Sequence, residues 1–196
     1  MKKITLLLFS VVVVLVICPL SVYPQEFPKY EFTGGFSYLG MEERSWFGWN
    51  VSGVRNLNNY FGIEFDITGL YSWRSEDIFY MQLNTDLSRY FFLAGPKFTN
   101  RSGGNWAPYL HLLAGAARAS GSIKLVQHDG QLYSSRSEKM YEFAMALGAG
   151  IDYKLKGPLA IRLFQADLIN THGDLGWVKG GRVTFGLILR QGMGGD

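Results

Sequence analysis

Two kinds of side chain alternate along residues 141–153. The odd-numbered positions are large or apolar: Tyr141, Phe143, Met145, Leu147, Ala149, Ile151 and Tyr153. The positions between them are small or charged: Glu142, Ala144, Ala146, Gly148, Gly150 and Asp152. Successive residues of a β-strand point to opposite faces, so this period of two predicts a strand with one apolar and one small or polar face. An apolar face with aromatic residues at both ends is typical of a strand in a transmembrane barrel.

The same alternation recurs along the chain and predicts eight strands. They cover residues 30–39, 46–57, 60–71, 89–101, 107–119, 141–153, 159–169 and 181–190. Apart from a brief first loop at 40–45, short connections at 58–59, 101–106 and 155–158 alternate with longer ones at 72–88, 120–139 and 170–180. Bacterial transmembrane barrels have short periplasmic turns and longer outside loops. The pattern therefore predicts an all-β fold, an eight-stranded antiparallel up-and-down transmembrane β-barrel.

Two details modify this scheme. Alternation continues through 78–87, inside one predicted loop, which indicates that the neighbouring strands extend beyond the membrane there. Pro96 interrupts the fourth strand, and because proline has no backbone N–H we expect a bulge or a local break at that point. The longest loop, 120–139, is the expected place for contacts with partners, since loops on a rigid barrel vary freely.

The predicted inner faces carry charges of both signs. The set comprises Glu64, Asp66, Lys97, His111, Asp152, Arg162 and Arg182. About eight strands leave an interior just wide enough for side chains. Opposite charges in so narrow a space must pair, because a lone buried charge is costly. We expect a structural ion-pair network that fills the lumen, with Arg162 bridging two carboxylates; the alternative is a selective pore or a proton-linked site.

The predicted outer faces are apolar, with aromatic residues near the strand ends. This aromatic set comprises Tyr30, Trp46, Trp49, Tyr60, Trp73, Trp106 and Tyr153. Aromatic belts mark the two membrane–water interfaces of transmembrane barrels. A soluble lipocalin-like barrel would show the reverse arrangement, with large apolar residues inside, so the pattern favours a membrane location.

The beginning of the chain has the composition of a secretory signal. Lys2 and Lys3 precede an apolar run that reaches Cys18 and ends at Pro19. We expect residues 1–25 to be a signal helix, with an uncertain cleavage site, and residues 26–196 to form the barrel domain. The alternative is a retained anchor helix. Removal of the signal would remove the only cysteine, which excludes disulfides and cysteine-based zinc sites from the mature chain.

Charge and motifs exclude several function classes. Without Lys2 and Lys3 the chain has 19 − 2 = 17 basic residues against 16 acidic ones, which gives no indication of nucleic-acid binding. His128 and His172 fall in predicted loops, and the segment from Asn170 to Asp174 is a weak candidate for hydrolytic chemistry. No metal-ligand spacing or phosphate loop is present. We therefore expect no enzyme and no cofactor; a lipid A-modifying enzyme and a small-solute pore remain the alternatives.

Three segments have a pattern in common with known proteins: residues 92–98 (FLAGPKF), 146–152 (ALGAGID) and 161–167 (IRLFQAD). In these segments the chain resembles the bacterial outer-membrane β-barrel proteins of the small OmpA/OmpX-like kind. The resemblance implies a monomeric barrel exported to the outer membrane, with a structural or surface-interaction role. It also implies outer-membrane lipid, lipopolysaccharide and the barrel-insertion machinery as partners. The chain departs from the family by ending on Asp196 rather than on an aromatic residue, and no peptidoglycan-binding domain follows.

Overall fold

The computed structural model describes residues 27–41, 44–78, 81–127, 132–173 and 176–194. The predicted signal segment and the residues His128, Asp129 and Asp174 lie outside these ranges. The strands are β1 (Phe27–Met41), β2 (Arg44–Asn56), β3 (Phe61–Ile78), β4 (Met81–Thr99), β5 (Trp106–Gln127), β6 (Leu132–Lys154), β7 (Leu159–Gly173) and β8 (Gly176–Gly194). Within the described ranges, no helix is long and apolar enough to cross a membrane.

The sheet closes on itself. Each strand pairs with its neighbours in the sequence, and β1 pairs antiparallel with β8 from Phe27 opposite Gly194 to Met41 opposite Gly180. Closure pairs the backbone groups that an open sheet would leave exposed at its edges. The predicted eight-stranded antiparallel up-and-down barrel is confirmed.

Side chains alternate between the inside and the outside as predicted. On β6, Leu147 is 46% exposed on the outer face, whereas its neighbour Ala146 is fully buried. Residues placed outward on β4, β5 and β8 are exposed in the same way: Phe92, Phe98, Leu112, Phe185, Leu187 and Leu189. In a soluble protein such a surface would be a liability, but it suits contact with lipid chains.

The predicted long loops are mostly strand. β5 and β6 have 22 and 23 residues, about twice the 9–11 that a membrane crossing needs. Their pairing continues to Val126 opposite Leu132, so the loop predicted at 120–139 is wrong for its paired part. The loops predicted at 72–88 and 170–180 are likewise largely occupied by β3, β4, β7 and β8, and the extension expected from the alternation at 78–87 is present. In residues 132–139 most positions are polar, which hides the strand from a search for apolar faces.

Four strands project beyond the rest of the barrel. Tyr71 is the last β3 residue paired with β2, so residues 72–78 pair only with β4. Phe143 is the first β6 residue paired with β7, so residues 132–142 pair only with β5. We call the paired segments 72–78, 81–87, 121–127 and 132–142 the sheet extension, and the barrel end that bears them the hairpin end. The opposite end, with residues 57–60, 100–105 and 155–158, is the terminal end.

Two irregularities reshape the ladder. At Pro96 the pairing between β4 and β5 lapses for two positions and resumes in the same register, which is a local break and not a bulge. On β7 the register shifts against both neighbours at Leu163 and Phe164, and both side chains are exposed. This bulge reverses the alternation, so that Gln165 and Asp167 face the interior.

Trp46 corrects the predicted aromatic belt. Its side chain is only 6% exposed, because the residue shares the inward phase of β2 with Asn50. Its indole ring lies inside the barrel under the guanidinium of Arg89, 5.7 Å from the ring centroid. The other predicted belt residues are exposed or half-buried: Tyr30, Trp49, Tyr60, Trp73, Trp106 and Tyr153.

The interior is divided into two zones. Toward the hairpin end lies an apolar zone: Leu39, Met41, Trp46, Leu70, Phe91, Leu93, Leu113, Ala117, Ala144, Ala146 and Ile169. On β3, for example, Leu70 follows Asp66, and on β5 Leu113 follows His111. The expectation of a small or polar inner face therefore holds only toward the terminal end. A narrow interior filled by side chains accepts apolar residues as readily as paired polar ones, because both exclude water.

The outward position of Leu187 provides a test of the membrane face. This residue is 65% exposed on β8. Replacing it by Arg should cost about 2–4 kcal/mol of the free energy of unfolding in lipid vesicles, since a charge near mid-membrane is poorly solvated. Leu155→Arg, in the turn at the terminal end, is the matched control and should cost about 0–1 kcal/mol. Equal costs at the two positions would contradict the assigned lipid face.

Candidate functional site: the charged interior

The centre of the charged zone is a histidine held between two carboxylates. His111 Nδ1 lies 2.7 Å from Glu64 Oε2, and His111 Nε2 lies 2.8 Å from Asp167 Oδ1. All three side chains are buried. Ionised carboxylates only accept hydrogen bonds, so both contacts can form together when both ring nitrogens carry protons. The imidazole thereby connects β3, β5 and β7 across the barrel.

Arg182 bridges two further carboxylates. Its Nε donates to Asp167 Oδ2 at 2.7 Å, and its Nη1 donates to Asp66 Oδ1 at 2.8 Å. Asp66 also accepts from Asn50 Nδ2 at 2.6 Å and from Thr68 Oγ1 at 2.9 Å. The delocalised guanidinium suits this role because it offers several donors in fixed directions. Arg182 therefore bridges two carboxylates by hydrogen bonds, the role that we expected of Arg162, which itself forms salt bridges with Asp152 and Glu64.

Arg162 contacts Asp152 in a forked arrangement. Its Nε and Nη2 lie 3.0 Å and 3.4 Å from the two Asp152 oxygens, and its Nη1 donates to Gln165 Oε1 at 2.7 Å. Two other partners of Arg162 were proposed from the sequence. Glu64 Oε1 lies 3.8 Å from Arg162 Nη1, whereas Asp66 forms its salt bridge with Arg182. The alternation of β3 put Glu64 and Asp66 on one face without indicating which cation each would meet.

A tyrosine and two cations fill the space beside Asp152. Lys97 Nζ lies 3.8 Å from Asp152 Oδ2 and 3.9 Å from the ring centroid of Tyr109. The guanidinium of Arg162 lies 4.8 Å from the same ring, and the Tyr109 hydroxyl donates to Gln165 at 2.8 Å. The negative face of an aromatic ring attracts cations, most strongly where water is excluded. Tyr109 thus complements the carboxylate that these two cations share.

A second cluster lies toward the terminal end. Arg101 Nη2 donates to Glu31 Oε1 at 3.1 Å and to Asn56 Oδ1 at 3.0 Å, while Nη1 donates to the backbone oxygen of Asn59 at 2.6 Å. Arg190 Nε lies 3.7 Å from the same Glu31 oxygen. Arg101 was shared between the predicted strand 89–101 and the predicted turn 101–106, so the sequence did not single it out as an interior residue.

The structure therefore places all seven predicted site residues inside the barrel, each at most 2% exposed. It adds Asp167 and Gln165, which strict alternation from Arg162 would have placed outside. A detectable signal was present: Leu163 and Phe164 are consecutive large apolar residues, followed by polar residues two apart. The pair alone is not a bulge signal, since Phe91 and Phe92 alternate normally. The polar residues Gln165 and Asp167 that follow two apart indicate that the alternation has shifted by one.

Glycines on β6 leave room for the network. A Cβ atom at Gly148 would lie 1.9 Å from Asp167 Oδ1 and 2.4 Å from His111 Nε2. A Cβ atom at Gly150 would lie 2.5 Å from the Tyr109 hydroxyl. The GAG sequence at 148–150 is therefore explained by the close approach of buried side chains from β5 and β7 to the backbone of β6.

The histidine considered for hydrolytic chemistry lies elsewhere. His172 is exposed on the outer face of β7 and stacks on Trp177, with the ring centroids 4.7 Å apart. Its neighbour Thr171 is fully buried and faces the interior. The two side chains lie on opposite faces of the sheet, so they do not form a nucleophile and base.

Similar structures are small outer-membrane barrels. No protein-family model and no curated protein matches the sequence. The chain is similar to Ail, the attachment invasion locus protein of Yersinia pestis, at 20% identity and a TM-score of 0.57, over 83% of this chain and 98% of that one. A structure of Ail with the heparin analogue sucrose octasulfate gives 22% identity, a TM-score of 0.56 and coverages of 82% and 97%. A major outer membrane protein of Thermus thermophilus gives 10% identity and a TM-score of 0.54, over 82% of this chain and 99% of that one. The resemblance to small OmpA/OmpX-like barrels is confirmed for the fold.

The space at Gly148 provides a test of the network. Gly148→Ala should push Asp167 away from His111 and leave buried charges poorly paired, at a cost of roughly 3 kcal/mol or more. Gly34→Ala is the matched control, because nothing lies within 4 Å of the added Cβ atom; its effect should stay below about 0.5 kcal/mol. Urea titration of both variants in lipid vesicles measures the difference. A Gly148→Ala variant as stable as wild type would refute the contact.

Proposed function

We propose that the chain is an integral outer-membrane barrel with a closed interior whose role is interaction at the cell surface. Its outer face is apolar between two sets of aromatic residues, as lipid contact requires. Its fold is shared with outer-membrane proteins of Yersinia pestis and Thermus thermophilus. The sheet extension is the observation that carries the proposal, because it is the part of the fold that a membrane anchor alone does not need. We further propose that the barrel is monomeric and that the barrel-insertion machinery places it in the membrane.

The arrangement of the interior favours a closed barrel over a pore. Salt bridges join β3 to β8 through Asp66 and Arg182, and β1 to residue 101 through Glu31. Toward the hairpin end, Leu70, Phe91 and other large side chains of the apolar zone meet with almost no exposure. A continuous aqueous path would have to cross both zones. The seven predicted residues and Asp167 then act as structural groups.

The edges of the sheet extension suit contact with another chain. Residues 72–73, 75–78 and 132–142 pair on one side only, so their other backbone groups have no strand partner among the described residues. Unpaired edges are templates for strand addition by an extended segment. The sheet extension is rigid because β4 and β5 stay paired along its whole length. An extended protein segment is therefore the class of partner that we favour.

Shortening the hairpins tests this role. Residues 74–85 and 123–136 would each be replaced by a two-residue turn, which leaves the membrane barrel intact. Cells that carry the native protein should adhere to a protein-coated surface to which cells without it do not, and the shortened variant should lose this adherence. Immobilised heparin would be assayed in parallel, since Ail is seen with a heparin analogue.

Heat-modifiable gel mobility shows whether the shortened barrel has folded in the membrane. Native mobility with lost adherence supports the sheet extension as the contact surface. Adherence by the shortened variant equal to that of the native protein would exclude it, and the contact would then lie elsewhere on the barrel.

A further inference from the structure

Two basic residues lie on the outer face of the barrel, where its apolar band ends. Along the outward positions of β5, Leu112 and Ala116 are exposed, and Arg118 and Ser120 follow them toward the hairpin end. Ala116 is flanked by two phenylalanines on the neighbouring strands. Arg118 therefore lies at the level where the surface changes from apolar to polar, which is the level of lipid headgroups.

Tyrosines flank Arg118 on both sides. Arg118 lies opposite Tyr90 on β4 and opposite Tyr141 on β6. The hydroxyl of Tyr90 is 3.0 Å from that of Tyr71, and Tyr141 is 73% exposed. Tyrosine at a membrane interface places its ring among lipid chains and its hydroxyl among headgroups. Tyr90 and Tyr141 thus place a hydroxyl donor on each side of the Arg118 guanidinium.

A second cation lies beside the first. Lys139 is exposed and lies opposite Ser120, which makes it the diagonal neighbour of Arg118. Diagonal positions across antiparallel strands are about 7–8 Å apart, within reach of long side chains. Two positive charges at this distance repel each other unless an anion lies between them.

The acidic residues nearby do not compensate these cations. Glu142 faces the interior, where it pairs with Arg89 at 3.3 Å, and Asp86 lies opposite Ser122, four residues beyond Arg118 on β5. Arg118 is half-buried at the edge of the apolar band, where the bordering phase is the membrane surface. The part of its side chain that protein does not cover therefore meets lipid headgroups.

We propose that Arg118 and Lys139, flanked by Tyr90 and Tyr141, bind a phosphate group of a lipid headgroup in the leaflet at the hairpin end. The guanidinium donates two parallel hydrogen bonds to phosphate oxygens, and the ammonium adds a point charge. The tyrosine rings contact the glycolipid or glycerolipid body below the phosphate. The site lies on the outer face of β4, β5 and β6 and is separate from the interior network. Lys139 and Tyr141 belong to the edge segment 132–142 of the sheet extension, but the variant with shortened hairpins keeps both residues because it removes only 74–85 and 123–136.

Native mass spectrometry of the full-length protein tests the site. The protein would be extracted in mild detergent and mixed either with lipid A that carries its phosphates or with enzymatically dephosphorylated lipid A. The native protein should retain phosphorylated lipid A, and the double variant Arg118→Gln/Lys139→Gln should retain at least about tenfold less, because both charged contacts to the phosphate are lost. Dephosphorylated lipid A should be retained no better by the native protein than by the variant.

A matched control removes the same charge at the terminal end. Lys29→Gln/Arg55→Gln changes two exposed cations there and should leave retention unchanged. Heat-modifiable mobility verifies that each variant is folded, and Arg118→Lys should recover part of the binding if Arg118→Gln alone loses it. Equal retention of dephosphorylated lipid A, unchanged retention by Arg118→Gln/Lys139→Gln, or an equal loss in the control would each overturn the proposal. Competition by inorganic phosphate alone at micromolar concentration would also overturn it, since the site would then bind free phosphate.

Discussion

Mutual compensation of buried charges is the constraint on which the barrel interior depends. An isolated charge in a dry interior costs several kcal/mol, and removing one partner of a buried pair typically costs about 3–5 kcal/mol. Asp167 satisfies this constraint by contacting His111, Arg182 and Gln165 at once, at 2.8, 2.7 and 2.8 Å. No member of such a network can be removed without exposing its neighbours to the full cost. The charges therefore specify how strands distant in sequence meet across the lumen.

The backbone is adapted to this network at two places. The bulge at Leu163 and Phe164 turns Asp167 inward, and Gly148 lets its carboxylate approach the backbone of β6. Neither feature stabilises a strand by itself, since bulges interrupt a ladder and glycine has low strand propensity. Both are explained by the hydrogen bonds that they permit. The apolar zone nearer the hairpin end has no such directional requirement and is held by close packing.

Much of the fold follows from the period of two in the sequence. The alternation around Leu147 and Leu187 gave the number of strands, their faces and the inward position of seven charged residues. It did not give the partner of Arg162, because pairing across a lumen depends on shear and on the heights of side chains from distant strands. Trp46 was placed outside against the alternation, because an aromatic residue near a strand end suggests an interfacial belt whichever way it points. Of the sheet extension, only the part at 78–87 was expected; the part at 132–139 was missed because most of its residues are polar.

A closed interior is the central claim, and conductance tests it most directly. Purified, refolded protein would be inserted into planar lipid bilayers, with a porin of known conductance as the control for insertion and heat-modifiable mobility as the control for folding. If the charged zone and the apolar zone fill the lumen, the protein should show no steady current above the bare membrane across the voltage range that the bilayer tolerates. Large, stable single-channel steps from the folded protein would contradict the account and would identify the barrel as a pore.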